Sequence, residues 1–236
     1  MHEQILPAIR RTGGIVQWSD VAIQHVGYQD TALRHRKLER DLRLLRMNAD
    51  EQPDEPFILF NLGSVYLELN RVAEAIPCLE RSIVRSHAND SIVRKLYALL
   101  IQAFRQLGQL REAWNYAQIG LEYYPQDAEL LFLAGILQRE QGDDASAEQT
   151  WLRLLSTQEA THFASVDSGL RGYKTRHNLA VLYLNQSRLA EAELQWRLAL
   201  EEAPQFQPAL QGLAELFRAR GNGTRAYVVL AHQSEP

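Results

Sequence analysis

The 236-residue chain is predicted to be all-α, a solenoid of stacked helix pairs opened by a short β-hairpin-like stub. Two observations carry that prediction. The first is a 34-residue period of large and small apolar residues over the last three quarters of the chain. The second is the placing of proline: Pro53, Pro56, Pro125, Pro204 and Pro208 fall at the junctions between periods, where helices begin or end cheaply. With 46% hydrophobic and 23% charged residues, the chain has enough apolar side chain for a core, which excludes a mainly disordered protein.

The periods begin at Pro56, Arg94, Ala128, Tyr173 and Gln207, in steps of 38, 34, 45 and 34 residues. They give five units, 56–93, 94–127, 128–172, 173–206 and 207–236. The first has Leu59, Leu62, Gly63 and Tyr66, then Ala75 and Leu79. The second has Tyr97, Leu100 and Phe104, then Gly108, Ala113, Ala117 and Gly120. The third has Leu131, Gly135, Gly142, Ala147 and Trp151. The fourth has Leu179, Ala180, Tyr183, Ala192, Trp196 and Ala199. The fifth has Leu210, Leu213, Phe217, Gly221, Ala226 and Leu230. Small residues let paired helices cross closely, and large ones fill the space between layers. The long steps imply insertions near Ser86–Ile92 and Thr157–Gly172. Pro77 falls inside a second helix, where a kink is expected.

This pattern resembles the tetratricopeptide repeat. The resemblance implies a right-handed superhelix with a concave face lined by first-helix positions 2, 5, 6, 9, 12 and 13. Those positions make Asn61, Ser64, Lys95, Gln102, Arg105, Arg139, Lys174, His177, Asn178 and Arg218 the candidate partner-binding groove. Glu68, Glu129, Glu140 and Glu215 fall on the same face. Asn61 and Asn178 take the position that in such repeats often holds a peptide backbone. Arg105, Arg139 and Arg218 share position 12, which suits an extended, partly acidic peptide held by charge-assisted hydrogen bonds.

Before the repeats, Ile15–Trp18 and Val21–Val26 read as short β runs separated by turn residues. A helix follows over Thr31–Met47, with Leu38, Leu42 and Leu45 on one stripe. It carries Arg34, Arg36, Lys37, Arg40, Arg43 and Arg46 against Glu39 and Asp41. No aromatic residue interleaves with these charges, so a solvated or domain-docking face is expected and nucleic acid is not. The segment 31–55 reads as a basic helix and linker, and 1–30 as a separate piece.

Several blocks resemble the C-terminal part of bacterial family 2 glycosyltransferases that carry tetratricopeptide repeats. They are His2-Glu3-Gln4-Ile5, Ile23-Gln24-His25-Val26-Gly27-Tyr28, Lys37–Leu42, Pro56-Phe57 with Phe60–Gly63, and Phe163–Lys174. The resemblance implies that 1–30 is a remnant of the glycosyltransferase catalytic domain and that Glu3 and His25 lay near a nucleotide-sugar site, Glu3 as a polar or general-base partner and His25 as a metal ligand. Such an enzyme also needs an upstream half with an Asp-x-Asp motif, and this sequence has none. A divalent metal and a nucleotide sugar are therefore expected only with that half. The chain by itself is expected to need no cofactor and to act as a non-catalytic scaffold, the alternative being the acceptor-binding part of the transferase.

Other chemistry is excluded by elimination. Gly169–Thr175 lacks the glycine-lysine order of a phosphate loop. His162 and His177 have no cysteine or patterned carboxylate around them, so no metal site is expected. Net charge is −4, and no apolar run approaches the ~18–20 residues of a membrane span. Neither nucleic acid nor membrane is an expected partner. One cysteine, Cys78, and no signal-like start imply a reducing, cytoplasmic setting. The last unit ends near Leu230–Pro236 without a long polar capping helix, so weak self-association is expected.

Overall fold

The computed structural model describes residues 9, 12–15, 31–87, 90–157 and 167–221. Among these residues the protein is all-α, with ten α-helices, one short 3₁₀ helix and no strand. The expected β runs lie outside the described residues except for Ile15, which is exposed. Glu3, His25, His162, the first four residues of the Phe163–Lys174 block, and the second helix of the fifth unit also lie outside them.

The chain divides into two compact units, Met1–Asp90 and Ser91–Pro236. The first holds α1 (Thr31–Glu51), α2 (Pro56–Glu68) and α3 (Val72–Arg85). The second holds α4 (Val93–Gln106), α5 (Leu110–Tyr123), α6 (Ala128–Glu140), α7 (Asp144–Ser156), α8 (Tyr173–Asn185), α9 (Leu189–Glu202) and α10 (Gln207–Ala219). The 3₁₀ helix Ser168–Arg171 precedes α8 and lies inside the long insertion.

Every turn between paired helices is built alike. A residue in the left-handed region stands fifteenth in each unit: Asn70 (φ 58°), Gly108 (72°), Gly142 (82°), Ser187 (60°) and Gly221 (72°). The residue after it donates its N–H to the carbonyl five positions back. Arg71 donates to Tyr66, Gln109 to Phe104, Asp143 to Gln138 and Arg188 to Tyr183, at 2.8–2.9 Å. These bonds use helix-end carbonyls that would otherwise lack a donor. Glycine takes positive φ without a Cβ clash. Asn and Ser do the same work at two of the five turns, which is why the first and fourth units lack the glycine signal.

Close crossings follow the small residues. A Cβ on Gly135 would stand 2.3 Å from Trp151 Nε1, and one on Gly63 would stand 2.5 Å from the Leu79 side chain. Gly212 receives the Trp196 ring in the same way. Both tryptophans are buried within the second unit, packed among Leu179, Ala180, Leu182, Leu213 and Phe217. In the first unit, α1 packs against α2 and buries Leu42 and Leu45. The basic helix is thus docked along its apolar stripe, with Arg34 paired to Glu68 at 2.8 Å and Arg46 donating to the Tyr66 hydroxyl at 3.1 Å. It runs four residues past Met47 and stops short of Pro53. Helix α3 continues unbroken through Pro77. Proline has no N–H, so the carbonyl of Ala73 loses its helical donor there.

Candidate functional site

The candidate groove residues divide into those whose polar groups are occupied and those that are free. In the first unit, Asn61 donates to the Phe57 carbonyl at 2.7 Å and Ser64 to the Phe60 carbonyl at 2.9 Å. Each turns back on its own helix, which uses one amide hydrogen of Asn61 and the hydroxyl hydrogen of Ser64.

In the second unit, charges on successive first helices pair across the repeat. Lys95 of α4 reaches Glu129 of α6 at 2.5 Å, and Gln102 approaches the same oxygen at 3.4 Å. Arg105 forks onto Glu140 with three contacts of 2.6–2.9 Å. Lys174 is paired with Asp167 beside the 3₁₀ helix. Arg94, the residue before Lys95, is buried and paired with Asp127 at 2.6 Å. Asp127 also caps α6 by accepting the Leu130 N–H at 2.9 Å.

Arg139 breaks the pattern. Arg105 at position 12 finds its acid at position 13 of the next unit; the residue at that place for Arg139 is the neutral Asn185. Arg139 has no ion pair or hydrogen bond among the described residues, and the exposed Arg218 of α10 has none either. The expected rim of three arginines is therefore two free cations and one neutralised fork. Asn178 Nδ2 and Gln138 Oε1 are buried without a hydrogen-bond partner.

His177 lies beside Asn178 on α8. Its Nδ1 accepts the Trp196 Nε1–H at 3.1 Å, and the Phe206 ring meets it edge-on at 5.7 Å between centroids. Burial holds the imidazole below its ordinary pKa, and the Arg139 charge pushes the same way. His177 is thus a neutral ring whose Nδ1 is occupied by the Trp196 N–H. Among the described residues no group of three or more His, Cys, Asp or Glu could hold a metal ion. No described helix is long and apolar enough to cross a membrane.

Sequence reasoning missed a second cluster, on α7, α8 and α9. The Tyr183 hydroxyl donates to Glu148 at 2.9 Å. Arg188 also pairs with Glu148, at 2.7 Å, and lies over the Tyr183 ring with its carbon 4.1 Å from the centroid. Arg188 also pairs with Glu191, and Tyr66 with Arg71 and Glu74 repeats the Tyr183, Arg188 and Glu191 part of this arrangement in the first unit. The recurrence of tyrosine, arginine and glutamate in that order was the available signal.

Comparison with known proteins gives the repeats their name. Residues 58–83 and 99–159 each match a family model described as tetratricopeptide repeat. The chain carries tetratricopeptide repeats. No curated protein sequence matches the chain. Among solved structures, it is similar to a tetratricopeptide repeat protein from Parabacteroides merdae ATCC 43184, at 20% identity and a TM-score of 0.66, over 86% of this chain and 76% of that one. It is also similar to BtubC (BKLC) from P. vanneervenii, at 16% identity and a TM-score of 0.65, over 86% and 90%. A third is YrrB, a tetratricopeptide repeat protein with an unusual peptide-binding site, at 13% identity and a TM-score of 0.54, over 80% and 90%. Likeness at these identities speaks for the fold.

Proposed function

We propose that the chain is a protein-interaction scaffold that holds an extended peptide along the first helices of its repeats. The reading keeps the division into 1–30, a basic helix and linker over 31–55, and five repeats over 56–236. One observation carries it: among the described residues Arg139 of α6 and Arg218 of α10 make no ion pair or hydrogen bond and Asn178 Nδ2 of α8 has no hydrogen-bond partner, while Lys95, Arg105 and Lys174 are paired. A folded chain satisfies its buried polar atoms, so groups left over in a groove are matched by a ligand or by water. An extended peptide offers backbone groups to Asn178 and carboxylates to the arginines. The triple variant Arg139→Ala, Asn178→Ala and Arg218→Ala is expected to lose partners that wild type retains in a pulldown. Arg105→Ala removes a residue already held by Glu140 and is expected to retain them. Identical partner lists for wild type and the triple variant sink the groove reading. A reducing, cytoplasmic setting fits a chain with a single cysteine.

A second reading makes the chain the acceptor-binding part of a family 2 glycosyltransferase. The order of the sequence blocks from His2 to Lys174 favours it, and Glu3 and His25 would then belong to the catalytic half. The coding sequence upstream of Met1 tests it: an in-frame nucleotide-binding region with an Asp-x-Asp motif supports it, and a close upstream stop codon removes it.

A further inference from the structure

Within the second compact unit, the groove-facing row changes character from one first helix to the next. At position 9 of the repeat stand Gln102 on α4, Ile136 on α6, Val181 on α8 and Glu215 on α10. At position 12 stand Arg105, Arg139, Leu184 and Arg218. Ile136, Val181 and Leu184 thus interrupt a row that is otherwise polar. Each is only partly buried, and all three pack on the core that contains Trp196, Leu213 and Phe217. Ile136 lies one turn before Arg139, and Val181 one turn before Leu184, so each pair shares a helix face. The three aliphatic side chains form a floor that spans α6 and α8.

Free cations stand at the two edges of this floor. Arg139 on α6 and Arg218 on α10 make no ion pair or hydrogen bond among the described residues. Beyond Arg139, on α4, Arg105 is neutralised by Glu140. Glu215, exposed one turn before Arg218, ends the floor at α10. On α8 neither position carries a charge, and Lys174 and Arg176 nearer its start are held by Asp167 and Glu202. Across α6, α8 and α10 the groove therefore reads cation, aliphatic, cation.

We infer that the groove selects an extended peptide in which an aliphatic side chain stands three residues from an acid on either side. This rests on the groove reading. Packed helices lie about 8–10 Å apart. A polyproline II chain advances about 9 Å per three-residue turn and returns every third side chain to one face. One turn of peptide thus matches one repeat. The acids face Arg139 and Arg218, and the aliphatic residue between them covers Val181 and Leu184. A slip of one repeat toward α4 sets an acid beside the neutralised Arg105 and the aliphatic residue on Arg139. A slip the other way sets an acid on Leu184 and the aliphatic residue against Glu215. Either slip puts a charge on apolar surface or leaves it without an opposite charge, so one register is favoured. Burial of the aliphatic side chain supplies affinity, and the two arginines fix its place.

The test uses the full chain and end-blocked, dye-labelled peptides, read by fluorescence anisotropy. Glu-Pro-Pro-Leu-Pro-Pro-Glu is expected to bind. Asparagine in place of its leucine is expected to weaken binding about tenfold or more, the effect of burying most of a leucine side chain. One extra proline on each side of the leucine breaks the match between peptide turn and repeat and is expected to weaken binding as well. Leu184→Arg gives α8 the arginine that α4, α6 and α10 carry at position 12. It is expected to reverse the preference, so that a peptide with glutamate at its centre binds more tightly than the leucine peptide. Circular dichroism checks that this variant keeps its helices; if it does not, the peptide comparisons on wild type decide. Equal binding of the leucine and asparagine peptides, equal binding of the two spacings, or a leucine preference that survives in folded Leu184→Arg overturns this inference. The groove reading then still stands if the triple variant loses partners in the pulldown. No saturable binding of the leucine peptide up to about 1 mM, the level of a few weak contacts, also overturns the inference and leaves the groove reading to the pulldown alone.

Discussion

Arg94 and Asp127, thirty-three residues apart, form a buried ion pair in which Nη1 lies 2.6 Å from Oδ2 and the side chains are only 8% and 2% exposed. The same carboxylate caps α6 through its other oxygen, at 2.9 Å from the Leu130 nitrogen. One side chain thus starts a helix and ties it to the repeat before. Removing it strands a guanidinium whose Nη2 already lacks a partner. Asp127→Ala is expected to destabilise the protein by about 3–5 kcal/mol, the usual cost of leaving one buried charge unpaired. Urea unfolding measures it. Arg94→Met together with Asp127→Asn, which removes both charges and keeps a capping oxygen, is expected to recover much of the loss. A loss under about 1 kcal/mol for Asp127→Ala, within the range of exposed pairs, would show that water reaches the site.

The turns give a prediction with the opposite sign. Ser187 holds φ at 60° in the position that Gly108, Gly142 and Gly221 fill elsewhere. A side chain in that region costs about 1–2 kcal/mol through the contact between Cβ and the carbonyl oxygen. Ser187→Gly is therefore expected to raise the midpoint of thermal unfolding, despite the greater freedom it gives the unfolded chain. Asn70→Gly is expected to gain less, because asparagine tolerates this conformation better. Gly142→Ala is expected to lower the midpoint. Scanning calorimetry on the three variants reads the order directly; a drop for Ser187→Gly refutes the strain argument.

The helices and their turns were legible because they depend on local spacing. Pro56 starts α2, Gly142 closes α6, and the bulky and small residues alternate at the repeat distance in between. The position of Ser187 was legible only through the period, since its side chain is not that of a turn glycine. The site was harder to read. Lys95, Arg105 and Arg139 look equivalent in a single unit, yet their availability is decided one repeat away, by Glu129, Glu140 and the neutral Asn185. The charge at the next repeat is visible in the sequence. What the sequence does not show is which positions on neighbouring helices come within reach, because Lys95 pairs position 2 with position 2 while Arg105 pairs position 12 with position 13. Asn61 and Asn178 share a register position as well, and only the structure separates the one bonded to Phe57 from the one left free.

His177 provides a pH readout that needs no ligand. Burial, and then the Arg139 charge, hold its pKa below the ordinary 6.5. A depressed histidine pKa contributes stability that is present above the unfolded value. That stability is lost as the pH falls through the folded value. Chemical shifts of the imidazole against pH are expected to show His177 titrating below the histidines of unstructured peptides. Arg139→Ala is expected to move its midpoint up but not to the reference value, because burial remains the larger cause. An unchanged midpoint in that variant would mean that Arg139 points away from the ring.

Tyr183 titrates at the other end of the scale. Burial first, then its hydrogen bond to Glu148, push the phenol up to about 12 from an ordinary 10.0. Arg188 opposes this rise through its charge but is itself held by Glu148 and Glu191, so the cluster shares one carboxylate between a phenol and a guanidinium. The raised value favours the protonated phenol in the folded state. Its contribution to stability is complete below pH 10 and is lost as the pH rises toward 12. Alkaline titration followed by tyrosinate absorbance is expected to show a late-titrating tyrosine in wild type. Glu148→Gln keeps an acceptor for the hydroxyl and removes the negative charge that resists phenolate formation. It is expected to bring the midpoint of that tyrosine down part of the way, while Tyr183→Phe removes the late component altogether. A late component that survives in Tyr183→Phe would belong to another buried tyrosine, Tyr97 or Tyr124, whose hydroxyls burial also raises.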